Sequence, residues 1–103
     1  MGAEQFVTTA RGKNAQDAFN RAVEQAKYDH GHSGYTGSIA EKDSFVKIDL
    51  VVESEADARK IAWDLLDKND KRVGSKWGPA VCIYAGRGLD GTKTYVFFGW
   101  ASS

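Results

Sequence analysis

The segment Thr94–Trp100 carries bulky apolar residues on both of its faces: Tyr95 and Phe97 on one, Val96, Phe98 and Trp100 on the other. Successive side chains of a strand point to opposite faces. A strand that is apolar on both faces is central in its sheet or covered on both sides. The pattern therefore sets a sheet at the middle of the fold.

Around it the chain alternates strand and helix patterns. Gln5–Thr9 reads as a first strand, followed by a turn at Arg11-Gly12-Lys13. Asn14 is placed to cap a helix, with Asp17 in its first turn, where a carboxylate suits the positive helix end. Ala15, Ala18, Phe19, Ala22, Val23 and Ala26 recur at three- and four-residue steps and form one helical face. That face is mostly alanine, so the helix can lie close to what it covers. Gly31 supplies its stop, and Gly31–Gly37 is a loop by composition.

Ser38–Ala40 reads as a short strand and Phe45–Val52 as a clear one, with Val46, Ile48, Leu50 and Val52 on one face. The two are expected to pair as a hairpin. Ser54 caps a second helix whose buried face is Ala58, Ile61, Ala62, Leu65 and Leu66, with Trp63 roughly opposite. That helix is expected to fray into Asp67–Arg72. Ala80–Ala85 is a further strand, and a glycine-rich turn, Gly86–Gly91, joins it to the last one. The order β-α-β-β-α-β-β predicts an α+β fold. It is expected to be a ferredoxin-like β-α-β-β-α-β sheet with two helices on one face and an extra C-terminal strand.

The 103 residues are the size of one domain, read as a single unit over 1–103. With 42% hydrophobic and 27% charged residues the chain is globular rather than disordered. No apolar run approaches the ~20 residues that cross a bilayer, and Met1–Ala10 lacks the pattern of a signal peptide. The expected location is the cytoplasm. Cys82 is the only cysteine, so an internal disulfide is excluded, and a buried small hydrophobe is the expected reading. The net charge is zero, which disfavours strong nucleic-acid binding without a focused patch. The cations of residues 68–93 (Lys68, Lys71, Arg72, Lys76, Arg87 and Lys93) are the candidate for one, so weak nucleic-acid binding is weighed among the partners.

Three constellations carry chemistry. His30, His32, Ser33, Tyr35 and Thr36 cluster in the glycine-rich loop after the first helix. Backbone amides there, with Ser33 and Thr36, could cradle an anion. Against this, a helix C-terminus disfavours anions, and the glycine spacing matches no phosphate-loop fingerprint. A zinc site from Asp29, His30 and His32 lacks a fourth ligand. Acid–base catalysis by a histidine lacks an identifiable nucleophile. The second constellation is Arg72, Lys76 and Trp77: a ring could stack on the indole while the cations hold phosphate. A lone tryptophan is more often packing, and here would fold back as a lid on the sheet. The third is the turn bearing Arg87, which would join a basic rim if its tip bent toward Trp77.

The residues Ala18-Phe19, Ala22, Ala26, His30-Gly31, Gly34–Ala40, Lys76–Ala80 and Phe97–Trp100 together resemble small uncharacterised proteins of bacteria and their phages. The Gly-Tyr-Thr-Gly-Ser-Ile run and the Lys-Trp-Gly-Pro run are the more specific parts. The resemblance implies no assigned activity and no catalytic residue. Its setting implies a protein that binds a host component or captures a signal nucleotide.

The sequence thus leads to a small non-enzymatic binding protein, with no cofactor or metal, for an anionic small ligand such as a nucleotide. Its site would combine His30, His32, Ser33, Tyr35 and Thr36 with Arg72, Lys76, Trp77 and Arg87. The alternative is a protein–protein interaction or inhibitor module acting on a host protein through Trp63 and the final strand. A homodimer through that terminal strand is a further expectation.

Overall fold

A computed structural model describes residues 3–30, 37–50, 52, 54–74, 77–88 and 90–102. Strand β1 (Ala3–Gly12) leads into helix α1 (Ala15–His30), and a 3-10 turn (Ile39–Glu41) precedes the short β2 (Phe45–Lys47). Helix α2 (Glu55–Asp67), β3 (Ala80–Arg87) and β4 (Lys93–Ser102) complete the chain. The four strands form one mixed sheet in the order β1-β4-β3-β2. β4 is antiparallel to both neighbours, and β2 runs parallel to β3.

Both helices begin as their sequences dictate. The Asn14 side chain accepts from the Asp17 amide at 2.8 Å, and the Asp17 carboxylate accepts from the Lys13 amide at 3.0 Å. That second bond is the main reason the Asp17 carboxyl sits below the usual carboxylate range. Ser54 Oγ accepts from the Asp57 amide at 3.2 Å at the start of α2. Gly12 has a steric role: a Cβ there would lie 2.6 Å from the Ala18 amide nitrogen and 2.7 Å from an Asp17 carboxylate oxygen. Only a residue without a side chain lets β1 end this close to the first turn of α1.

The class is α+β with two helices and a four-stranded mixed sheet, and the ferredoxin-like arrangement fits it loosely. Two features differ from expectation. First, the helices lie on opposite faces. Ala18, Phe19 and Ala22 of α1 pack with Phe6, Cys82, Tyr95 and Phe97. Ala58, Ala62, Leu65 and Leu66 of α2 pack with Val81, Ile83, Val96 and Phe98. The reason is topological. β1, β2 and β3 share one direction, and the chain crosses the sheet from β1 to β2, then returns from β2 to β3. Crossovers of one hand that travel in opposite directions place their helices on opposite faces. The two apolar faces of Thr94–Trp100 are thereby both covered, and β4 is central, paired on both sides, so the final strand has no free edge for the homodimer expected through it.

Second, the expected hairpin of Ser38–Ala40 with Phe45–Val52 does not form. Ser38 Oγ accepts from the Ala40 amide at 3.2 Å and caps a 3-10 turn instead, the local competition that serine offers to strand pairing. The turn buries Ile39 against α1. Of Phe45–Val52, three residues pair with β3, and the Ile48 amide adds one bond to the Cys82 carbonyl at 3.0 Å. Ile48, Leu50 and Val52 then pack on the α2 side.

The α1 side is anchored by an aromatic trio. Phe19, Phe45 and Phe97 have ring centroids 5.1 to 5.5 Å apart. It ties helix, edge strand and central strand together. On the other face Arg59 Nη1 reaches from α2 to Thr9 Oγ1 at 3.1 Å. The end of α2 is closed rather than frayed. Asn69 takes a positive φ of 53°, the Asn69 amide bonds the Leu66 carbonyl, and the Asp70 amide bonds the Leu65 carbonyl. This is a Schellman cap with asparagine in the place glycine usually takes.

Candidate functional site

The backbone of His30 closes α1. The His30 side chain, together with His32, Ser33, Tyr35, Thr36 and Lys76, lies outside the described residues. The remaining candidates are placed clearly. Trp77 is 68% exposed, so the indole is not folded back as a lid. Arg72 is exposed and engaged with Asp70: its Nε and Nη2 donate to the two carboxylate oxygens at 3.0 and 3.3 Å. The pair lowers the Asp70 pKa and raises that of Arg72, in each case first through the side-chain hydrogen bond. An exposed pair of this kind adds little to stability, but an incoming phosphate would have to compete with Asp70 for the guanidinium.

Arg87 does not stand beside Trp77. It ends β3, opposite Lys93, whereas Gly78-Pro79 precede the first residue of that strand. Seven residues of strand separate the two ends by about 23 Å. The cations of 68–93 are divided in the same way. Lys68, Lys71 and Arg72 follow α2 at one end of the sheet, and Arg87 and Lys93 stand at the other. Lys68 is further engaged with Asp64 at 3.0 Å.

The chain just before β2 meets the chain that leads into β3. Lys42 Nζ donates to the Gly78 carbonyl at 2.7 Å, and the Ala80 amide donates to the Ser44 carbonyl at 3.0 Å. Lys42 is 4% exposed, and its burial pushes the amine pKa down. Nothing in the local sequence marks this lysine as interior; its burial follows from the 3-10 turn that replaces a strand.

The concave feature of this region lies between β1 and the second half of α1, with a volume of about 350 Å³. Ala22, Ala26 and Ile39 give it an apolar floor, and Arg11, Arg21, Gln25, Asp29 and Ser38 supply polar lining. Arg21 Nε lies 3.4 Å from an Asp17 carboxylate oxygen in an exposed contact. Gln25 Nε2 donates to Asp29 at 3.1 Å. The cleft therefore has a cationic stretch at Arg11 and Arg21 and an acidic point at Asp29. Sequence reasoning missed it, although the signal was present: Arg21, Gln25 and Asp29 recur at four-residue steps beside the alanine row Ala22 and Ala26. Small residues flanked by a polar row leave a groove where a helix crosses a strand.

Cys82 is buried at the centre of the sheet, and desolvation pushes its thiol up to about 12. A thiol so protonated is no nucleophile. Among the described residues no group of three His, Cys, Asp or Glu could hold a metal ion, and no helix is long and apolar enough to cross a membrane. No family model matches the chain, and no curated protein or solved structure matches it.

Proposed function

We propose that this chain is a small non-enzymatic binding protein whose α1–β1 cleft takes an anionic small ligand, a nucleotide first among them. The observation that carries the reading is the cleft itself. Its volume of about 350 Å³ falls in the range of small-molecule sites, and such sites pair an apolar surface with a few placed polar groups. Arg21 is the phosphate contact, exchanging its long approach to Asp17 for a charge-assisted bond to the ligand. The floor of Ala22, Ala26 and Ile39 offers a flat ring an apolar seat. Residues 31–36 lie along the chain between α1 and Ser38 and outside the described residues, and the roles assigned to Ser33, Tyr35 and Thr36 belong to this proposal. A cytoplasmic location is part of it too, supported by a lone cysteine kept out of any disulfide.

Calorimetric titration with a panel of nucleoside mono-, di- and cyclic phosphates tests the reading. Saturable binding is expected, weakened at least about tenfold by Arg21→Ala, since a hydrogen bond to a charged group contributes about 1.5–3 kcal/mol. Absence of heat or thermal stabilisation across the panel would refute it.

The second reading is a protein–protein module. It is favoured by the outer face of α2, where Trp63 is 41% exposed beside Lys60, Ile61, Asp64 and Asp67. Recovery of a stoichiometric host protein that a Trp63→Ala variant fails to recover would select it.

A further inference from the structure

β1 is an edge strand with an unusual lack of protection. Its inner side pairs with β4 over ten consecutive residues without a bulge, and among the described residues no strand lies beyond it to pair with the amides and carbonyls of its outer side. Edge strands are commonly blunted by shortness, lysine, proline or a bulge. The opposite edge, β2, follows that rule: it has three residues and one of them is Lys47. β1 has ten residues, no proline and no lysine, and its charges stand near its ends, at Glu4 and Arg11.

The cleft beside it bears on the same point. Thr8, Thr9, Ala10 and Arg11 all line it. Neighbouring side chains of a strand point to opposite faces. A cleft touching four residues in a row therefore reaches the strand's edge as well as its α1 face.

We propose that the occupant of this edge is a second copy of β1, paired antiparallel about a two-fold axis so that two four-stranded sheets become one. Parallel pairing would set Glu4 beside the partner's Glu4 and Arg11 beside the partner's Arg11, which is repulsive. An axis perpendicular to the sheet keeps the α1 faces of both copies on one side, so paired residues have the same parity along the strand. Of the registers that satisfy this, those with the greatest overlap centre on Val7 or on Thr8. The partner's Glu4 then falls opposite Ala10 or Gly12, the two neighbours of Arg11. Glu4 shares its face with Phe6, which packs on the α1 side. Its carboxylate is thus delivered to the stretch of cleft lined by Arg21, so the partner's acid and a ligand phosphate compete for that guanidinium, and, by symmetry, each copy receives the acid of the other.

The test is sedimentation equilibrium of the full chain across a concentration series, with Glu4→Arg, Arg21→Glu and the double variant. The wild type is expected to dimerise. Either single change should raise the dissociation constant at least about tenfold through a like-charge contact, and the double variant should regain most of the loss. In the wild type, hydrogen exchange of β1 amides should slow as concentration rises. Glu4 and Arg21 are exposed, so circular dichroism of the variants should match the wild type, as should their melting at concentrations low enough that every form is monomeric; where the wild type is dimeric, its melting should lie above that of the single variants. A wild type that stays monomeric, a dimer indifferent to Glu4→Arg, or a double variant no better than the singles would overturn the proposal.

Discussion

Cys82 offers a direct check on the three-layered core. It pairs in register with Lys47 of β2 on one side and Phe97 of β4 on the other, and its side chain is fully buried. Desolvation lifts its pKa from 9.0 to about 12 against a smaller opposing effect of Lys47. At about pH 8 a thiol of ordinary pKa is roughly one-tenth thiolate, whereas one near 12 is about one part in ten thousand, a ~1,000-fold loss of nucleophile before access is considered. A reagent must also wait for the sheet to open. For a domain of ~5 kcal/mol stability or more, roughly one molecule in 5,000 or fewer is open at any moment. Labelling by a chromogenic disulfide should therefore run at least about a thousandfold slower in buffer than in strong denaturant. Linkage supplies a second readout. Between pH 9.0 and about 12 the native thiol holds a proton that the unfolded one has lost, so stability is full below 9 and falls as pH rises through that window. Tyr95, also raised by burial, adds to the fall above 10.0. Lys42, lowered from 10.5, has the opposite sign and gains stability with pH just below that value. Cys82→Ala should flatten the alkaline limb of the urea midpoint. Stoichiometric labelling of the native protein at the unfolded rate would refute the argument, because no central strand under α1 could expose its thiol so freely.

Two backbone positions give sharper tests of local geometry. Gly12→Ala would drive a Cβ to 2.6 Å from the Ala18 nitrogen, so a loss of about 1–3 kcal/mol in denaturant unfolding is expected; an unchanged midpoint would mean that β1 does not end against α1. Asn69, at φ 53°, should lose about 1 kcal/mol on change to alanine and little or nothing on change to glycine. Equal losses in both variants would contradict the Schellman cap.

What was legible in the sequence was local. Asn14 with Asp17, and Ser54 with Asp57, announce both helix starts because a capping side chain and its amide lie within one turn. The two-faced apolarity of Thr94–Trp100 announces a central strand because burial is written residue by residue. The division of the helices between faces is not local: it depends on the order β1-β4-β3-β2 and on the parallel pairing of Phe45 with Ala80, residues far apart in the chain. One sign of it was available. A strand, a helix and a strand in succession, as in Phe45–Ala85, form the unit that joins parallel neighbours. The expected hairpin obscured it, and that hairpin rested on three residues, Ser38–Ala40, whose serine had a competing use as a cap.

The candidate site was legible to a lesser degree, and the separation of Trp77 from Arg87 follows on topological grounds. The segment before a strand and the turn after it lie at opposite ends of that strand. Once Ala80–Ala85 is assigned as a strand, Trp77 and Arg87 cannot share a rim unless one of their loops folds back along the sheet, and the long β3–β4 ladder leaves the turn no such course. The same reasoning brings the right partners together. α1 descends from the end of β1, so its last turn and the Ser38 cap arrive at the end of the sheet where β2 and β3 begin, and Lys42 fastens that junction to Gly78. Helix and edge strand diverge along the way. The alanines that let α1 approach the sheet also leave the gap beside Arg21, so the small side chains of one helix face produce both the burial of Ala18 and Ala22 on the sheet and the open cleft above β1.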